Sequence, residues 1–122
     1  MVNFRVLLIA LIFIVFDVIT GIIKGWKSGS LNSTKMREGL INKIVEIAAI
    51  LFGYMCEMTL PTLGIGIDIA FGHIITVYIV ITEICSIIEN FGEISPVVGS
   101  MLSGIFEKLK KEHDIETGVE HE

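Results

Sequence analysis

Six carboxylates, Glu46, Glu57, Asp68, Glu83, Glu89 and Glu93, fall within Ile44 to Phe106, a stretch of 63 residues without a single Lys or Arg. Acids set in apolar surroundings hold protons or cations, line wet passages, or pair with a base brought from elsewhere. The chain carries little other chemistry. His73, His113 and His121 are scattered, and neither Cys56 nor Cys85 has a His near it in sequence. That leaves no metal-ligand spacing and implies no cofactor. No nucleophile–base pair or phosphate loop is visible, so the residues argue against an enzyme. Two cysteines inside apolar runs do not make a disulfide framework.

The elements that must position these acids follow from composition. With 122 residues the chain is one unit, yet 52% of it is hydrophobic and its mean hydropathy is +0.77. A chain this short cannot bury so much apolar surface in one core, so the remainder must meet lipid. All nine basic residues lie outside the acid-bearing stretch, and five of them fall between Lys24 and Lys43. This sorting of charge by segment describes an all-α integral membrane protein. The single basic cluster is short and lies beside apolar segments, which disfavours nucleic acid as a partner.

Three transmembrane helices are predicted, over residues 4–23, 44–60 and 67–88, joined by a basic connector at 24–43. Twenty helical residues measure about 30 Å, the thickness of the hydrocarbon core. Ser33 is the expected N-cap of the second helix, which begins in the interface and enters the bilayer near Ile44. Thr59-Leu60-Pro61-Thr62 is the expected break after it, with Gly64 and Gly66 extending the weak region. Residues 96–111 place Val97, Val98, Met101, Leu102, Ile105, Phe106 and Leu109 at the spacing of an amphipathic helix. The tail, 108–122, is charged. A two-span arrangement, with Ile44 to Ile88 as one broken re-entrant element, is the competing topology. The apolar N-terminal run lacks a small-x-small site, so a retained helix is preferred to a cleaved signal.

Orientation follows from charge. Lys24, Lys27, Lys35, Arg37 and Lys43 against one Glu38 favour a cytoplasmic connector. The N-terminus is then outside, and the tail, with Lys108, Lys110 and Lys111, is cytoplasmic.

Residues three and four apart share a helical face. Asp68, Gly72, Thr76, Ile79, Glu83, Ser86 and Asn90 step by 4, 4, 3, 4, 3 and 4 along the third span. Glu46, Gly53 and Glu57 form a shorter stripe on the second. Such stripes serve either as dry seams, where small residues let helices approach closely, or as wetted faces in an oligomer. The acids tip the reading towards a wetted or switchable face, because a carboxylate without a base in its own span is costly in lipid. The candidate oligomer- or pore-lining set is therefore Glu46, Gly53, Glu57, Asp68, Gly72, Thr76, Glu83, Ser86 and Asn90. Asp17, with Thr20, Gly21 and Lys24 on one side of the first span, is read as an interfacial acid that Lys24 or the connector can pair. Trp26 and Tyr54 are belt or packing aromatics, and His73 is a packed or hydrogen-bonded residue.

Two patches resemble a known family. Asp17-Val-Ile-Thr-Gly21 is followed, after a basic stretch, by Ser33-Thr-Lys35-Met-Arg37-Glu38-Gly39-Leu40. Further on comes Glu83-Ile-Cys-Ser86-Ile-Ile-Glu89-Asn90. In order and spacing these resemble the toxin-secretion and phage-lysis holins of Gram-positive phages and clostridia. The resemblance spans most of residues 15 to 105, and departs at Pro96-Val97-Val98-Gly99, where a second proline turn is expected. It implies a protein of the bacterial cytoplasmic membrane that forms homo-oligomers. It further implies lesions that release a cell-wall hydrolase or a secreted toxin. A small cation or proton channel or transporter, and a regulatory, antiholin-like membrane subunit, are the alternatives.

Overall fold

The computed structural model describes residues 3–116, and all of its regular structure is helical. The helices are α1 (Phe4–Ser28), α2 (Ser33–Thr62), α3 (Phe71–Ile94) and α4 (Pro96–Glu116). The last part of the charged tail lies outside the described residues. Helix is the expected solution in lipid, where each backbone polar group must find its partner within its own segment.

Three helices, α1, α2 and α3, are long and apolar enough to cross a membrane. They contain 25, 30 and 24 residues, which gives lengths of about 38, 45 and 36 Å at 1.5 Å per residue. Each exceeds the hydrocarbon core, so each extends into the interface. Their outward faces carry Leu8, Ile12, Val15, Ile44, Leu51, Phe52, Ile74 and Ile81, all exposed. That apolar exterior is what lipid requires.

Local chemistry sets the ends. Asn3 caps α1 by accepting from the Arg5 amide at 3.0 Å. Gly29 ends it in the left-handed conformation at φ 69°, and the Ser30 amide returns to the Gly25 carbonyl at 3.0 Å. This is the glycine-terminated helix end that satisfies orphan carbonyls. The expected 20-residue connector therefore shrinks to four residues, 29–32. Lys24 and Lys27 belong to α1, and Lys35, Arg37 and Lys43 to α2. Asn32, not Ser33, is the N-cap of α2, its Oδ1 accepting from the Lys35 amide at 2.8 Å.

Pro61 lies inside the last turn of α2, and the chain stops helical geometry two residues later. Gly64, at φ 77°, completes the stop. The third helix starts at Phe71 rather than near residue 67, because residues 65–70 stay non-helical. Ala70 supplies no side-chain cap. Its role passes to Glu57 of α2, whose Oε1 accepts from the Gly72 amide at 2.6 Å and the His73 amide at 3.4 Å. A carboxylate at a helix N-terminus also meets the positive end of the helix dipole.

In the assembled chain α3 is the central helix. It runs parallel to α1, with Asp17 beside Ser86 and Lys24 beside Glu93. It runs antiparallel to α2, with Lys43 beside Glu83 and Glu57 beside Gly72. Between themselves α1 and α2 make only sparse contact. The apolar core, formed by Ala10, Ile14, Ile50, Tyr54 and Ile79, occupies the half of the bundle away from the connector. The fourth helix turns off at Ser95 and folds back on α3. A Cβ at Gly99 would fall on the backbone of Gly92, so two glycines make the corner that a second proline was expected to make. Val97, Met101, Ile105, Phe106 and Leu109 of α4 are exposed.

Candidate membrane-embedded polar network

Lys43 is the hub of the molecule's buried polar groups. It sits in the third turn of α2, just before the stretch that lacks bases, and its ammonium points between α1 and α3. It donates to Asp17 Oδ2 at 2.6 Å and to Glu83 Oε1 and Oε2 at 2.7 and 2.8 Å. Glu46, one turn further along α2, adds an ion-pair contact at 3.6 Å. Glu83 is among the most enclosed side chains of the protein, at 1% exposure.

Asp17 extends the network along the α1–α3 seam. Its Oδ1 accepts from Ser86 Oγ at 2.8 Å and from Asn90 Nδ2 at 2.9 Å. The same Asn90 amide donates to Thr20 Oγ1 at 2.9 Å, and that hydroxyl donates to the Asp17 carbonyl at 3.0 Å. Asp17, Thr20, Glu83 and Asn90 are all buried. Buried charge is tolerable only where partners satisfy it, and three helices converge to do so here. Among the described residues, Glu46 Oε2 is buried and has no hydrogen-bond partner. One ammonium faces three carboxylates, Asp17, Glu46 and Glu83, so the cluster is formally −2 (one positive against three negative charges) with every group ionised.

A second polar locus lies at the far end of α3. Thr76, fully buried, donates to the Gly72 carbonyl at 2.6 Å. A Cβ on Gly72 would strike the Tyr54 ring, and one on Gly53 would lie 2.8 Å from Ile75 and 3.0 Å from the Gly72 Cα. Gly53 and Gly72 are therefore the crossing point of α2 and α3, where small residues permit backbone approach. At the connector end, Lys24 meets Glu93 at 3.5 Å, both partly exposed. Lys27 donates to the Ile94 carbonyl, covering the C-terminus of α3.

The expected stripe on α3 is real from Gly72 to Asn90, and the fold turns it inward between the helices of one chain. Gly72, Thr76, Ile79, Glu83 and Asn90 are buried and Ser86 is partly so. Asp68 does not belong to it. It precedes α3 and is exposed in the 63–70 connector, because the chain there is not helical and the helical phase cannot be extended back. Asp17 and Lys43, assigned to the interface by sequence, are instead interior partners. The acids Asp17 and Glu83 thus do have a base, and it comes from the edge of α2. Tyr54 is a packing aromatic against Gly72, whereas Trp26 is 77% exposed at the connector end. His73 is exposed, and its backbone amide donates to Glu57. Thr20, read from the sequence on the same side of the first span as Asp17, joins the network through its own hydroxyl and the Asn90 amide.

The arrangement joins three spans through charge and hydrogen bonds at mid-helix, and it concentrates groups that water would solvate well.

Comparison with known proteins gives this network its setting. The chain is 25% identical over 104 residues to the uncharacterized protein YqxH of Bacillus subtilis (strain 168), covering 85% of this chain and 71% of that protein. No solved structure matches it. The sequence profile of the bacteriophage holin family matches residues 3–111; with three span-length helices in place, the chain belongs to that family of membrane permeabilisers.

Proposed function

We propose that the chain self-associates in the bacterial cytoplasmic membrane and opens lesions wide enough to pass a cell-wall hydrolase or a protein toxin. Its N-terminus is outside and its C-terminus cytoplasmic, as the basic residues at the connector end favour. It acts as a single membrane domain without an enzymatic step.

The observation that carries this reading is the Lys43 network. Ions held in a low-dielectric interior lose solvation worth several kcal/mol each, offset only by their partners. Parting the helices in an assembly returns that solvation, so the buried seam carries a standing bias towards water. In the open assembly Glu46, Glu57, Glu83, Ser86 and Asn90 line the wet face. Gly53, Gly72 and Thr76 give the close crossing that must come apart, and Asp68 stands near the outer mouth. Bistable packing of this sort, with states separated by a few kcal/mol, is how small triggers become large rearrangements.

A narrow cation or proton channel is the second reading, favoured by three carboxylates against one ammonium and by the partnerless Glu46 Oε2. Inducible expression in a bacterium, with and without a signal-less wall hydrolase, separates the two. Abrupt depolarisation with lysis only when the hydrolase is present supports a protein-sized lesion. Depolarisation without lysis favours the narrow channel. Full membrane potential despite insertion favours a regulatory, antiholin-like subunit.

A further inference from the structure

The sparse contact between α1 and α2 leaves a cavity of about 510 Å³ at the connector end of the bundle. Gly21 of α1 and Gly39 and Leu40 of α2 line it, Gly25 packs against Leu31 at its edge, and the Asp17–Lys43 pair forms its floor. Gly21 and Gly39 keep it wide. A Cβ on Gly39 would meet nothing within 4 Å, and one on Gly21 would meet only the Asn90 amide at 3.8 Å. Lys24, Ser30 and Lys35 stand at its mouth.

Charge and depth define what fits. The floor offers no free cation, since Lys43 already faces Asp17, Glu46 and Glu83. The mouth does. Lys35 makes no ion pair among the described residues, and Lys24 has only the exposed Glu93 at 3.5 Å. Lys24 lies seven residues beyond Asp17, about 10 Å nearer the connector end of α1. Because α1 is longer than the hydrocarbon core is thick, that end reaches the headgroup zone. Val18, Ile22, Met36 and Leu40 make the α1 and α2 walls apolar, while Ser86, Asn90 and Glu93 of α3 form a polar back wall. The apolar walls continue into the lipid-facing surface because α1 and α2 do not close.

We propose that this cavity binds the phosphate of an anionic glycerophospholipid, with the first methylenes of an acyl chain lying between Gly21 and Gly39. Lys24 and Lys35 hold the phosphate, and Ser30 meets its ester oxygens or headgroup hydroxyls. Basic pockets between spans on the cytoplasmic side suit anionic headgroups. A choline or ethanolamine would bring a further cation beside Lys24 and Lys35. Free phosphate would leave the apolar walls uncovered. A lipid seated here bridges the two helices that barely touch, and so ties the resting packing to the lipid composition of the membrane.

The test uses the full chain in a neutral detergent, titrated with phosphatidylglycerol or phosphatidylcholine and read by native mass spectrometry. Phosphatidylglycerol is expected to bind at least tenfold tighter than phosphatidylcholine. The double variant Lys24→Gln/Lys35→Gln is expected to lose that preference, whereas Lys108→Gln/Lys110→Gln, an equal charge change on α4, keeps it. Gly39→Leu and Leu40→Trp fill the gap without changing charge, and each is expected to weaken phosphatidylglycerol tenfold while circular dichroism stays helical. Undiminished binding in both filled variants, or equal loss in the α4 control, would reduce the effect to surface electrostatics and overturn the proposal. Displacement of the lipid by millimolar inorganic phosphate would overturn its assignment to a phospholipid.

Discussion

Lys43 and Glu83, 40 residues apart in sequence, are joined by hydrogen bonds of 2.7 and 2.8 Å to both carboxylate oxygens. Through that pair α2 is fastened to α3, and through Asp17, 2.6 Å from the same ammonium, to α1. Apolar packing holds the far half of the bundle, and this ionic junction holds the near half.

Removing the hub is expected to be severe. Lys43→Met leaves Glu83 and Asp17 buried without their cation, and breaking a buried pair in this way costs about 3–5 kcal/mol. Pairing it with Glu83→Leu removes one of the two stranded carboxylates and is expected to recover part of the loss. Thermal unfolding of the single and double variants in detergent measures this as a double-mutant cycle. Additive losses would show that the two residues are not energetically joined.

Glu57 is expected to act as the N-cap of α3. Glu57→Ala should destabilise by about 0.5–2 kcal/mol, the usual range for a lost cap. Hydrogen exchange should rise first at the Gly72 and His73 amides, which lose their acceptor. Unchanged protection there would remove Glu57 from the cap.

These two findings mark what sequence could and could not disclose. The three spans were legible because apolar runs of that length have few other destinations, and the α3 stripe was legible because helical period 3.6 is a local property, whereas its burial within one chain depends on the other helices. Pairing of Asp17 by a base of the connector was legible, and Lys43 supplies it. The base for Glu83 was not, since Lys43 stands at the border of the acid-bearing stretch and reaches across to another helix. The start of α3 was misplaced for a similar reason. Its cap comes from Glu57, 15 residues upstream of Gly72, while Asp68 offered a polar residue in apparent phase. The cap of α2 was misplaced by one residue, since Asn32 and Ser33 are both good N-cap types and only the backbone decides between them.

The crossing of α2 over α3 depends on the absence of a side chain at Gly72. Gly72→Ala drives a methyl into the Tyr54 ring and is expected to cost about 1–3 kcal/mol, as overpacking does. Tyr54→Leu in the same chain should relieve part of that cost. Denaturation in detergent reads both, and a neutral Gly72→Ala would contradict the close approach.

Gly99 positions α4 rather than the spans. Gly99→Val is expected to push α4 off Gly92, raising its susceptibility to limited proteolysis while the α1–α3 bundle keeps its unfolding temperature. A matching loss of bundle stability would mean that α4 is part of the core.

The central claim is that the α1–α3 seam must part for the membrane to be breached. Thr20 and Asn90 meet across it at 2.9 Å, so Thr20→Cys/Asn90→Cys, with Cys56→Ser and Cys85→Ser, places a reversible lock on the network. The measurement is lysis of hydrolase-expressing cells together with membrane potential, under a mild oxidant and then dithiothreitol. The locked protein is expected to insert without depolarising the cells, and dithiothreitol is expected to restore abrupt depolarisation and lysis. Lysis on the normal schedule with the crosslink intact would contradict the claim, because the seam would then stay closed while the lesion opened.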